Sequence, residues 1–114
     1  MSPRWRRGRR VWMEPWVTRF NPAGPVAPMG EVVLTVDEFE AVRLKDLVGL
    51  AQEDGARRMG ISQPTFHRAL VSARRKIADA LVNGKVIRIE GGDYRIVARG
   101  SGRGRGMSRG GPPR

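Results

Sequence analysis

The stretch Gln52-Glu53-Asp54-Gly55-Ala56-Arg57-Arg58-Met59-Gly60-Ile61-Ser62-Gln63-Pro64-Thr65-Phe66-His67-Arg68-Ala69-Leu70 sets the architecture of this chain. Its spacing is that of a helix-turn-helix, the unit whose second helix lies in the DNA major groove. Ala56 is small where the two helices are expected to cross. Gly60 stands where the first helix must end at positive φ, a region glycine enters without steric cost. Ile61 is set to plug the turn from inside. Ser62 is a good N-cap for the second helix, and Pro64 is tolerated in its first turn.

The same spacing would also serve a packing corner in a helical bundle. The charges argue against that use. From Thr35 to Ala56 there are six acids and two bases, whereas Arg57 to Ala78 holds six bases and no acid. Positive charge thus concentrates on and around the second helix, where a polyanion would need it.

Around this unit, the 114 residues make one domain with a modest core. The net charge of +11 and a pI near 11.7 point to a polyanionic partner. Residues 1–24 and residues 99–114 each carry a net +5, and the segment between them only +1. A nearly neutral body with two basic tails is expected: a flexible basic arm over 1–10, a folded domain over 11–98 and a disordered Arg/Gly-rich tail over 99–114. The chain has no Cys and one His, so disulfides and thiolate sites are excluded, and neither a metal nor another cofactor is expected. No apolar run of signal-peptide or membrane-spanning length is present, which predicts a cytoplasmic, nucleoid-associated protein with no membrane partner.

Val11-Trp12-Met13 and Val17-Thr18-Arg19-Phe20 are β-prone pieces interrupted by Glu14-Pro15. Thr35-Val36-Asp37-Glu38 has the form of a capping box that opens a helix running to about Leu47. Phe39, Val42, Leu44 and Leu47 are its apolar face, and Arg43 should pair with Glu40 or Glu53. A second helix spans roughly Gln52 to Met59, weakly capped by Ala51 and weakened by Gly55, which costs about 1 kcal/mol relative to Ala. The third helix, Ser62 to about Leu81, turns Phe66, Ala69, Leu70, Ala73, Ile77, Ala80 and Leu81 inward. Pro64, His67, Arg68, Val71, Arg74, Arg75 and Ala78 fall on the opposite side. Lys85–Glu90 and Tyr94–Val97 alternate around Gly91-Gly92-Asp93 and predict a C-terminal β-hairpin that pairs with the N-terminal β segment or packs on the helices. The fold class is therefore mainly α with small β additions: a three-helix helix-turn-helix core, short N-terminal strands and a hairpin.

Beyond these local patterns, Arg9-Arg10-Val11, Glu14-Pro15, Pro22-Ala23-Gly24, Val32-Val33-Leu34-Thr35-Val36-Asp37-Glu38, Arg43-Leu44, Gly49-Leu50, Gln52-Glu53, Met59-Gly60-Ile61-Ser62, Ala80-Leu81-Val82-Asn83-Gly84-Lys85 and Arg88-Ile89-Glu90-Gly91-Gly92 resemble a small prokaryotic family. It is uncharacterised protein family zero-two-five-one, or domain of unknown function one-three-four. The resemblance covers roughly residues 9 to 95. The family's helical part is similar to region four of bacterial sigma factors, so the resemblance implies DNA binding through Gln52 to Leu81. Ala51 stands where the family pattern favours Ser, and Gly55 where Ala is usual. Some members have Cys in the segment matching Val11-Trp12-Met13, which this chain lacks.

The expected function is sequence-specific binding of double-stranded DNA in transcription regulation. Ser62, Gln63, Pro64, Thr65, His67, Arg68 and Val71 occupy the base-facing turns of the third helix. Gln63 suits adenine, Arg68 guanine and Val71 a thymine methyl. Arg58, Arg74 and Arg75 are placed for phosphates, which fix register without reading sequence. The alternative is RNA or ribosome binding through the Arg/Gly tails. RNA polymerase is a further candidate partner, and the β segments are the candidate interface of a homodimer. No nucleophile–base pair or carboxylate dyad is visible, so no enzyme is expected.

Overall fold

A computed structural model of the chain describes residues 8–97. Five short strands frame three helices, in the order β1 (Arg9–Val11), β2 (Arg19–Phe20), β3 (Glu31–Leu34), α1 (Val36–Val42), α2 (Gln52–Met59), α3 (Gln63–Asn83), β4 (Val86–Ile89) and β5 (Tyr94–Ile96). The mainly α class with small β additions is what the periodicity predicted. The tail over 99–114 and residues 1–7 of the basic arm lie outside the described residues. Arg9 and Arg10, expected in that arm, are part of β1.

The α1 capping box forms as read. Thr35 Oγ1 accepts from Glu38 N–H at 3.4 Å, and Glu38 Oε1 accepts from Thr35 N–H at 2.9 Å. Past Val42 the helix widens into a π turn, Arg43–Val48, ended by Gly49 at φ 92° whose N–H reaches the Leu44 carbonyl. The wider i→i+5 ring rotates later side chains away from the α-helical stripe. Leu44 stays in the core, but Leu47, expected on the same face, is 80% exposed.

Helix α2 begins at Ala51 with no side-chain cap and ends at Gly60, φ 70°. Ala56, expected at the crossing with α3, is buried, and so is Gly55 before it. The Phe66 ring lies against Gly55, and a Cβ there would stand 2.6 Å from Phe66 Cζ. The glycine that weakens the helix locally is the one that admits the largest side chain of the core. Phe66, Leu70, Met59, Leu44, Ala41, Ala56 and Ala69 form one apolar cluster. Val11, Leu34, Val36, Ala73 and Ile89 form a second, beneath the strands. Leu81, read as inward, is 76% exposed, while its neighbour Ala80, about 100° away around the helix, is buried.

The predicted C-terminal hairpin is corrected. Both its strands exist, but β4 and β5 do not pair with each other. β4 is central in a three-stranded sheet, antiparallel to β2 (Arg19 opposite Arg88) and parallel to β3 (Val32 opposite Ile87). β5 runs parallel to β1, with Arg10 opposite Arg95. The connection between them is pinned to α1 instead of folding back. Val36 N–H donates to the Gly91 carbonyl at 3.0 Å, and Gly92, at φ 101°, rides so close to Asp37 and Thr35 that any Cβ would collide with them. The expected pairing of the C-terminal strands with the N-terminal segment is observed.

Candidate nucleic-acid interface

Helix α3 starts as its sequence requires. Ser62 Oγ accepts from Thr65 N–H at 3.2 Å and donates to Thr65 Oγ1 at 2.8 Å, with Pro64 in the first turn. Ser62 and Thr65 are therefore first of all a cap. Arg68 Nη2 donates to Thr65 Oγ1 at 3.2 Å, which lays its guanidinium along the exposed face. His67 stands 3.2 Å from Gln52 Oε1 through Nδ1, a contact from α3 back to the start of α2. Gln63, Pro64, His67, Arg68, Val71 and Arg75 are all exposed. Among the described residues neither Arg68 nor Arg75 has a carboxylate partner.

Two of the residues expected at phosphates are otherwise engaged. Arg74 makes a two-pronged contact to Asp46, with Nη2–Oδ1 at 2.6 Å and Nε–Oδ2 at 3.1 Å. That hydrogen bond, more than the accompanying charge, holds the Asp46 carboxyl below the usual aspartate range. Arg58 remains exposed, with its guanidinium 5.3 Å from the centre of the Trp12 ring. It is a preordered cation.

The sequence reading missed what holds α2 in place. Helix C-termini leave carbonyl oxygens without intrahelical donors. Arg10 supplies them from β1: Nη2 donates to the Arg57 carbonyl at 2.8 Å and Nε to the Arg58 carbonyl at 3.1 Å. Trp12 Nε1 donates to the same Arg58 carbonyl at 2.8 Å. The Trp12 N–H donates to Glu40 Oε2 at 2.8 Å, and the fully buried Glu40 accepts Arg43 Nε at 2.7 Å and Nη2 at 2.9 Å. Glu40, not Glu53, is thus the partner of Arg43. The sequence sets Arg9-Arg10 directly before the β-prone Val11-Trp12-Met13, which marks a strand but not what its side chains reach.

A second joint fixes α3 to α1. Glu38 Oε1 accepts from Lys76 Nζ at 2.7 Å, and Oε2 accepts from the Ser72 hydroxyl at 2.6 Å. Burial pushes the Glu38 carboxyl up, but hydrogen bonds from Lys76, Ser72 and Thr35 and the Lys76 charge outweigh it, and the net direction is down. Lys76 is thus a structural cation.

The outward face so built is rigidly backed, basic, and free of acids through its first three turns. No group of metal-ligating side chains is found among the described residues, and no described helix is long and apolar enough to cross a membrane. Residues 1–97 match the family described as "Protein of unknown function DUF134". The chain is 55% identical over 106 residues to a UPF0251 protein of Thermoanaerobacter pseudethanolicus, covering 92% of this chain and 90% of the relative. It is 58% identical over 95 residues to one of Caldanaerobacter subterraneus, covering 82% and 78%. With one of Moorella thermoacetica the identity is 62% over 90 residues, 78% of this chain and 60% of the relative. No solved structure matches. The chain belongs to this family.

Proposed function

We propose that this member of the DUF134 family is a sequence-specific binder of double-stranded DNA, acting in transcription regulation through the outward face of α3 and carrying out no catalysis. One observation carries the reading. Immediately after the Gly60 turn, α3 presents Gln63, His67, Arg68, Val71 and Arg75 to solvent on a single face, with two arginines that no described carboxylate neutralises. Base-edge readers and a phosphate contact are what a helix in the major groove requires. The Arg10 and Glu38 joints support it, because a reading helix must be held at a fixed angle to its support.

Selection of bound duplexes from a random pool tests the proposal directly. Enrichment of a short motif, lost on Arg68→Ala, is the expected result. Tight binding with no enriched motif, matched or exceeded by structured RNA, would transfer the reading to RNA binding through the basic tails.

A further inference from the structure

His67 is the one histidine in the chain. It stands exposed on the α3 face, about one turn past Gln63 and one turn before Val71. A contact across the helix-turn-helix corner orients its ring: Nδ1 lies 3.2 Å from Oε1 of Gln52, the first residue of α2. A carboxamide oxygen only accepts, so the shared hydrogen belongs to Nδ1. In a neutral imidazole a hydrogen on one nitrogen makes the other an acceptor. Nε2 therefore carries a lone pair, directed away from Nδ1–H across the ring, and among the described residues no donor meets it.

The neighbours of His67 offer the opposite chemistry. Arg68 and Arg75 can only donate, and Val71 is apolar; all three line the same open concavity as His67. An acceptor among donors selects by base edge. In the major groove adenine N6 and cytosine N4 present amines, whereas guanine O6 and thymine O4 present lone pairs that would face the one on Nε2. Two acceptors brought together lose their water partners and gain nothing in exchange. Discrimination then comes from rejection as much as from attraction.

We infer that Gln52, through the tautomer it imposes, makes His67 a reader of amino bases: on the strand it contacts, His67 takes adenine or cytosine and refuses guanine or thymine. Gln52 is a positioning residue, acting through His67. This role requires α3 to seat in duplex DNA as proposed, and the test separates the two.

With a single histidine, long-range nitrogen–proton NMR of the full chain at about pH 8, where imidazole is neutral, reads the tautomer without DNA. The Nδ1–H form should dominate. Gln52→Ala should return the ring to the Nε2–H form that free histidine favours, while Gln52→Glu keeps an acceptor in place and should retain Nδ1–H. A ring released from Gln52 accepts from an amine or donates to a carbonyl alike. In duplex selection Gln52→Ala and His67→Ala should therefore keep the rest of the motif and lose preference at the same base pair. There the wild type should favour adenine or cytosine by about two- to tenfold, the worth of one neutral hydrogen bond. An Nε2–H ring in the wild type, a tautomer indifferent to Gln52→Ala, or guanine or thymine at the His67-dependent position would overturn the assignment. So would a motif that Arg68→Ala abolishes and both His67→Ala and Gln52→Ala leave whole, a result that spares the DNA reading. No enriched motif, with the Nδ1–H form present, would overturn the DNA reading and the base assignment with it.

Discussion

Arg68 carries most of the weight of the DNA reading, and its geometry says why. Its guanidinium is ordered by Thr65 without being neutralised, so it can meet a guanine edge with both prongs. Such a contact is worth about 1–3 kcal/mol of discrimination. Arg68→Ala should therefore weaken binding to a preferred duplex more than to random DNA in anisotropy titrations, while equal losses would make it a phosphate contact. Gly55 is the second decisive residue. Alanine there relieves about 1 kcal/mol of helix cost, but its methyl would press into the buried Phe66 ring at 2.6 Å. Overpacking costs about 1–3 kcal/mol. Gly55→Ala should lower the melting temperature, and a rise would show that the ring gives way freely.

Among the elements, α3 is held from two sides, and each hold can be removed. Phe66 anchors it to α2, fully buried, and its truncation to Ala should cost about 3–5 kcal/mol. In a domain of this size that is a large share of the stability, so calorimetry should show a melting transition greatly lowered or abolished. Glu38 anchors α3 to α1 through Lys76 and Ser72. Because its folded carboxyl sits below the ordinary value of 4.5, the ionised form stabilises the fold at every pH above that value. That contribution disappears as pH falls through the depressed folded value. Glu38→Gln should cost about 1–3 kcal/mol near neutrality. Its deficit relative to the wild type should shrink in acid, and a deficit independent of pH in melting curves would remove Glu38 from the acid response.

Across the molecule as a whole, charge and fold are separable. Removing residues 1–7 and 99–114 deletes eight arginines and leaves β1, with its Arg10 clamp, intact. For every phosphate that the tails no longer neutralise, the salt slope of log K on duplex DNA should become shallower by about 0.9. The truncated protein should bind all DNA more weakly at low salt and with shallower salt dependence, yet rank sequences as before. Loss of ranking with RNA affinity spared would place the specificity in the tails.

Local chemistry made part of this protein legible before any packing was known. The Thr35–Glu38 capping box, the Ser62 cap, the left-handed glycine at Gly60, and the inward stripe Phe66, Ala69, Leu70, Ala73 all rest on neighbours within one or two turns. So does the exposed basic face, since helical phase alone places Arg68 away from Leu70. Everything that depends on distant partners was decided by the tertiary structure. Alternating residues around a Gly-Gly pair suggest a hairpin, but burial against α1 sent β4 to β2 and β3 and sent β5 to β1. Leu47 has helical spacing, yet the π turn shifted its phase. Gly55 reads as a flaw until Phe66 arrives from the next helix. The Arg10 clamp is invisible for the same reason: a helix end needs donors, but no pattern near Met59 says that they come from a strand 47 residues earlier in the chain. Periodicity sets which face of an element is buried. Only the packed molecule sets what buries it.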